Sequence, residues 1–178
     1  MQHSLVMTIV GPDRPGLVDS VATLVAGHNG NWLESRMSRL GGQFAGILRV
    51  EVPPGSEADL VSALKKLDSR GLAVVITPDS NAPPAETTGA RLSVLEVVGQ
   101  DRPGIVSQIA RVLADYGVNV EELHTECASA AMSGETLFRA RDKLSIPDRC
   151  EAGEIRRKLE KIAEDLIVEI SLAELEAS

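Results

Sequence analysis

Two carboxylates, Asp13 and Asp101, occupy the same place in two copies of one loop. The first copy is Gly11-Pro12-Asp13-Arg14-Pro15-Gly16; the second, 88 residues on, is Gly99-Gln100-Asp101-Arg102-Pro103-Gly104. Each loop follows an apolar run and precedes a run with helical spacing, so it lies where a strand hands over to a helix. A helix N-terminus has backbone N–H groups without intrahelical partners and the positive end of the helix dipole, and so suits a carboxylate. Gly16 and Gly104 remove a side chain there and open the backbone to close approach. Pro15 and Pro103 suit a first helical turn through their fixed φ. Asp13 and Asp101 are placed either to cap the spare donors or to hold an amine. Asn31 and Asn119, also 88 residues apart, start the next strand in each copy. Their amides offer a donor and an acceptor, which suits the two ends of an amino acid. The loop thus has two readings, a well-made turn and cap without a ligand, or a seat for a small molecule bearing a carboxylate and an amine.

The elements that must position these residues also come twice. Ser4–Val10 is a β-branched apolar run that reads as a strand, and Leu17, Val18, Val21, Leu24 and Val25 draw a helical stripe. Asn31–Leu40 and Gln43–Val52 read as a hairpin turning at Gly41-Gly42. Ser56 is placed to cap a helix with Leu60, Val61, Leu64 and Leu67 inward, and Leu72–Thr77 closes the unit. The second copy runs Leu92–Val98, a helix with Ile105, Val106, Ile109, Val112 and Leu113 on one face, strands Val118–Ala128 and Thr136–Ile146 joined by Ser129–Glu135, a helix Glu151–Glu164, and Leu166–Leu172. Each βαββαβ order is the ferredoxin-like split motif. The fold class is therefore α+β, two antiparallel four-stranded sheets, each with two helices on one face. The predicted domains are 1–79 and 91–178, with the polar, Pro-rich stretch 80–90 as linker. Domains of this size bury a modest share of their surface, so the halves are expected to pack together and to form a homodimer.

Bulk properties exclude several functions. Of the 178 residues 43% are hydrophobic but only 2% aromatic, and the net charge is −8. The core is therefore aliphatic, base stacking has little to work with, and direct nucleic-acid binding is not expected. Cys127 and Cys150 have neither metal-site nor disulfide-scaffold spacing. No apolar run is long enough to span a membrane, so the expected location is the cytoplasm. His124 and Cys127 would point to opposite faces of a strand and make a poor chelate. Neither loop is a nucleotide-phosphate fingerprint, and no nucleophile comes with a base and an orienting group. No cofactor, metal or catalytic residue is expected. Trp32 reads as a packing residue and Arg156-Arg157-Lys158 as a solvated helix face.

The strand, the G-x-D-R-P-G loop, the following helix and Gly117-Val118-Asn119 resemble an ACT domain, an amino-acid-binding regulatory module, here twice in tandem. Further stretches are Trp32-Leu33-Glu34-Ser35-Arg36-Met37, Leu40 through Gly46, Met132-Ser133-Gly134, Phe138 and Pro147. Together they make the chain similar to the glycine cleavage system transcriptional repressor family. The resemblance implies ligand contacts from Asp13 and Asp101, from backbone around Gly16-Leu17 and Gly104-Ile105, and from Asn31 and Asn119, at an interface between two ACT units. In one departure, Asp stands where some serine-binding relatives have Asn, and an acid there must face the ligand's ammonium group. The function implied is a non-enzymatic sensor of a small amino acid, glycine or serine first. It would control a transcription factor by protein contact, as a repressor of glycine cleavage genes. The alternatives are a ligand-independent adaptor and a regulatory subunit of an enzyme of amino-acid or one-carbon metabolism.

Overall fold

A computed structural model describes residues 3–79, 89–129 and 135–175, and the chain divides into two compact units, Met1–Ala82 and Pro83–Ser178. The first contains β1 (His3–Pro12), α1 (Leu17–Gly27), β2 (Asn31–Leu40), β3 (Gln43–Val52), α2 (Glu57–Lys65), a 3-10 turn over Lys66–Arg70 and β4 (Ala73–Pro78). The second contains β5 (Ala90–Gln100), α3 (Ile105–Asp115), β6 (Asn119–Ser129), β7 (Thr136–Pro147), α4 (Ala152–Leu166) and β8 (Val168–Glu174). Sheet orders are β2-β3-β1-β4 and β6-β7-β5-β8, and every paired strand is antiparallel to its neighbour. Two α+β units of ferredoxin-like topology are therefore present, as the repeat predicts. Within the predicted linker, residues 80–88 lie outside the described residues, and β5 already begins at Ala90. Residues 130–134 of the predicted Ser129–Glu135 loop lie outside them as well.

Alternation on the strands and i, i+4 spacing on the helices build each core. In the first unit Leu5, Met7 and Ile9 of β1 meet Leu17, Val21 and Val25 of α1 and Leu60 and Leu64 of α2. In the second, Leu95 and Val97 meet Ile105, Ile109 and Leu113 of α3 and Ile155 and Leu159 of α4. Val18 and Val106, which the apolar stripes include, remain 44% and 43% exposed. The opposite sheet faces of both units mix exposed aliphatics, Val10, Ile47 and Val75 on the first and Leu92 and Val98 on the second, with ion pairs such as Arg49–Glu34 at 3.3 Å and Arg141–Glu96 at 3.7 Å.

The hairpin β2–β3 has the predicted limits, because Gly41 and Gly42 take φ of 57° and 77° and stop both strands. Two local expectations fail. Leu166 ends α4 instead of starting a strand, and the break falls at Ile167, with φ of 56°. Ser56 stands at the N-cap of α2, yet its side chain makes no cap hydrogen bond.

Ladder register shows how alike the units are. Both edge strands carry an irregularity at the same place, between Trp32 and Glu34 on β2 and between Val120 and Glu122 on β6. Residues of β1, α1 and β2 correspond to residues 88 further on, whereas those of β3 correspond to residues 94 further on, because the second hairpin is longer.

Candidate functional site

The first glycine of each loop answers to packing. A Cβ on Gly11 would stand 2.3 Å from the Gly71 carbonyl oxygen, and one on Gly99 would stand 2.6 Å from Val168 Cγ1 and 2.8 Å from the Ile167 oxygen. In both units the start of the closing strand runs over that position. The second glycine answers to conformation: Gly16 and Gly104 are the N-cap residues of α1 and α3, with φ of 87° and 96°. The helices begin at Leu17 and Ile105, so Pro15 and Pro103 stand before the cap and not in the first turn as expected. The chain must change hand at the cap, and glycine does so without a Cβ penalty.

Neither helix has a side-chain cap hydrogen bond. The N-cap residue of each helix is a glycine, which has no side chain to accept from the first-turn donors. Leu17 and Ile105 bury their side chains in the cores, so only their backbone is open at the loop. The loops are anchored from behind: Asp13 N–H donates to the Gly42 oxygen and Asp101 N–H to the Thr136 oxygen, both at 2.9 Å. Arg14 Nη2 donates to the Arg70 oxygen at 2.7 Å, tying the first loop to the end of the 3-10 turn.

The carboxylates have different neighbours. Arg39 Nη1 donates to Asp13 Oδ2 at 3.3 Å. The position corresponding to Arg39 is Cys127, since each pairs with the equivalent phenylalanine, Phe44 or Phe138. The Cys127 thiol is exposed; local desolvation first, then the Asp101 charge, push it above its ordinary range. Arg39 and Cys127 did not emerge as loop partners from the sequence, although the 88-residue period aligns them as it aligns the two aspartates.

Asn31 and Asn119 open β2 and β6 and are exposed. Asn119 Nδ2 donates to Glu121 Oε1 at 2.6 Å. Within one unit these amides do not meet the loop. The crossover helix carries the chain back to the other end of the sheet, so Asn119 lies eight residues along β6 from Cys127, roughly 26 Å at strand rise. Each unit thus separates the two groups of expected site residues, a helix N-terminus with its acid at one end and an asparagine at the other. In a single unit they cannot grip one small molecule together.

The ACT domain family matches residues 3–76 and again residues 93–143, one match on each repeat. A protein of unknown function from Galdieria sulphuraria, of known structure, is 31% identical, with 99% of this chain and 100% of that one covered and a TM-score of 0.88. The glycine cleavage system transcriptional repressor of Escherichia coli strain K12 is 22% identical over 165 residues, 93% of this chain and 86% of that protein. A solved structure provisionally assigned to such a repressor shares the fold, with a TM-score of 0.71 at 21% identity and 99% of both chains covered. With the family on both repeats and the expected topology in both units, the chain belongs to the ACT domain family as a tandem of two ACT domains.

Proposed function

We propose that the chain is a non-enzymatic regulatory protein that binds a small amino acid, glycine or serine first, and passes its bound state to a transcription factor by protein contact. On this reading it acts in the cytoplasm as a repressor of glycine cleavage genes. The observation that carries the proposal is the pair of helix N-termini, each with a left-handed glycine at the N-cap and no side-chain cap. Such a terminus leaves oriented N–H donors for a ligand carboxylate, and the adjacent acid suits the ammonium group.

The loops are not equivalent in this role. Arg39 pairs with Asp13, whereas the neighbour of Asp101 is a thiol, which brings no positive charge to compete with an ammonium group. The second loop is therefore the stronger amino-acid seat. Because the loop and the asparagine of a unit lie at opposite ends, a complete site on this reading pairs the loop of one copy of the chain with the asparagine of a second copy, as a homodimer would supply. A ligand bound between two copies stabilises one arrangement of the copies over others, the requirement for a sensor. The resemblance to the repressor of Escherichia coli supports the regulatory class and the kind of partner.

The test is a thermal-shift series of the full chain against the twenty amino acids. A ligand that binds only the folded state raises the midpoint in a saturable manner. We expect such a rise for glycine or serine. No saturable rise with any amino acid would reject the sensor.

A further inference from the structure

Asp142 is a buried acid in a place built for leucine. On β7 it pairs with Leu95 of β5 and Leu123 of β6. The same ladder position in the first unit, between Met7 and Ser35, belongs to Leu48. Leu48 is 1% exposed and Asp142 4%. Asp142 Oδ1 has no hydrogen-bond partner among the described residues. Burial raises its carboxyl from the ordinary 3.8 to about 6.

The acid borders a cavity of about 40 Å³ between α3 and the β6–β7 hairpin, walled by apolar side chains that include Val106, Ile109, Val120, Leu123 and Phe138. At the place of Val120 the first unit carries a bulkier group, Trp32, packed against its core. The second unit thus gains space and a negative charge at one point. No other lining residue is ionisable. Arg141 and Lys143 flank Asp142 in sequence but point to the other sheet face, where they meet Glu96 and Glu122 at 3.7 and 4.0 Å.

We propose that this cavity binds a small primary ammonium ion, a protonated alkylamine of one or two carbons, with its charged end on the Asp142 carboxylate and its carbons against the α3 side chains. The room, roughly three water-sized groups, fits such an ion and excludes a guanidinium on a longer stem. A resident water would need two to four polar partners and meets one acid here. A hard metal cation needs a shell of oxygen ligands that these walls lack. A primary ammonium supplies the missing opposite charge and donor together with an apolar body. The site is separate from the loop acids and stands whether or not the loops bind amino acids.

The experiment is an amide-resolved NMR titration of the full chain with ethylammonium chloride, with sodium chloride and tetramethylammonium chloride as controls at equal ionic strength. We expect saturable shifts at Val106, Ala110 and Leu123 with ethylammonium alone. Affinity should fall at least tenfold in Asp142→Asn and in Asp142→Leu, which installs the residue of the first unit and guards against a folding defect in the amide variant. Asp101→Ala should leave these shifts in place. Linear shifts without saturation, equal shifts with either control salt, or binding retained in both Asp142 variants would overturn the site.

Discussion

Arg39 Nη1 lies 3.3 Å from Asp13 Oδ2, and the residue that replaces Arg39 in the second unit, Cys127, is a thiol raised by local desolvation and then by the charge of Asp101. One repeat therefore compensates its loop acid with a cation and the other with a neutral thiol. Replacing Asp101 by Asn removes the neighbouring negative charge and stabilises the Cys127 thiolate. Alkylation of Cys127 by iodoacetamide at pH 8, followed by peptide mass spectrometry, should then speed up severalfold while Cys150 is unaffected. An unchanged Cys127 rate would show that the acid does not act on the thiol.

The two glycines of each loop should respond differently to substitution. Gly11→Ala drives a Cβ to 2.3 Å from a backbone oxygen, a clash no rotamer relieves, and should cost about 2–3 kcal/mol. Gly16→Ala meets nothing within 4 Å and carries only the penalty of its left-handed φ, about 1–2 kcal/mol. Urea unfolding followed by the fluorescence of Trp32, which packs on the first core, reads both. Equal costs would contradict the separate roles.

Asp142 gives the second unit a pH dependence of unusual sign. Its folded-state carboxyl titrates near 6 against an ordinary 3.8, so folding favours the protonated form. The resulting stabilisation is complete below about pH 4 and is lost as pH rises through 6, an effect of about 3 kcal/mol. Hydrogen exchange of core amides on β7, corrected for intrinsic rates, should show less protection at pH 7.5 than at pH 5. The amides of β3 serve as the internal control. Asp142→Leu should abolish the dependence; a β7 profile parallel to that of β3 in the unsubstituted chain would refute it.

Ser93 presents a related feature. It is fully buried, its hydroxyl has no partner among the described residues, and its counterpart in the first unit is the core residue Leu5. Ser93→Ala removes an unsatisfied polar group at little loss of volume and should stabilise the second unit by about 1 kcal/mol. Chemical denaturation followed by β5 amide exchange measures it, and a clear loss of stability would mean the hydroxyl has a partner in solution.

The fold was legible because punctuation and period agree. Gly41-Gly42 stops two strands cleanly, and the repeated loop marks both strand-to-helix junctions. Where punctuation is missing the reading slipped: the end of α4 is a left-handed Ile167, and nothing in a run of Leu, Ile and Val marks that change of hand. The glycines were recognised at the loop, but their division into a packing glycine and a capping glycine depends on the closing strand, which is remote in sequence. The loop and the asparagines were placed on the right elements, while their separation to opposite ends follows from the direction of the crossover. Asp142 escaped notice because the longer second hairpin shifts its correspondence with Leu48 from 88 to 94 residues. The inward parity of Phe138, Ala140, Leu144 and Ile146 would have placed it in the core.

The central claim, that the loop at Asp101 receives an amino acid, is tested most directly by calorimetric titration of the full chain and of Asp101→Ala with glycine and serine. The account predicts saturable binding by the unsubstituted chain, weakened at least tenfold by Asp101→Ala with hydrogen exchange of the second core unchanged. Equal affinity in both proteins, or no saturable heat with either ligand, would contradict it.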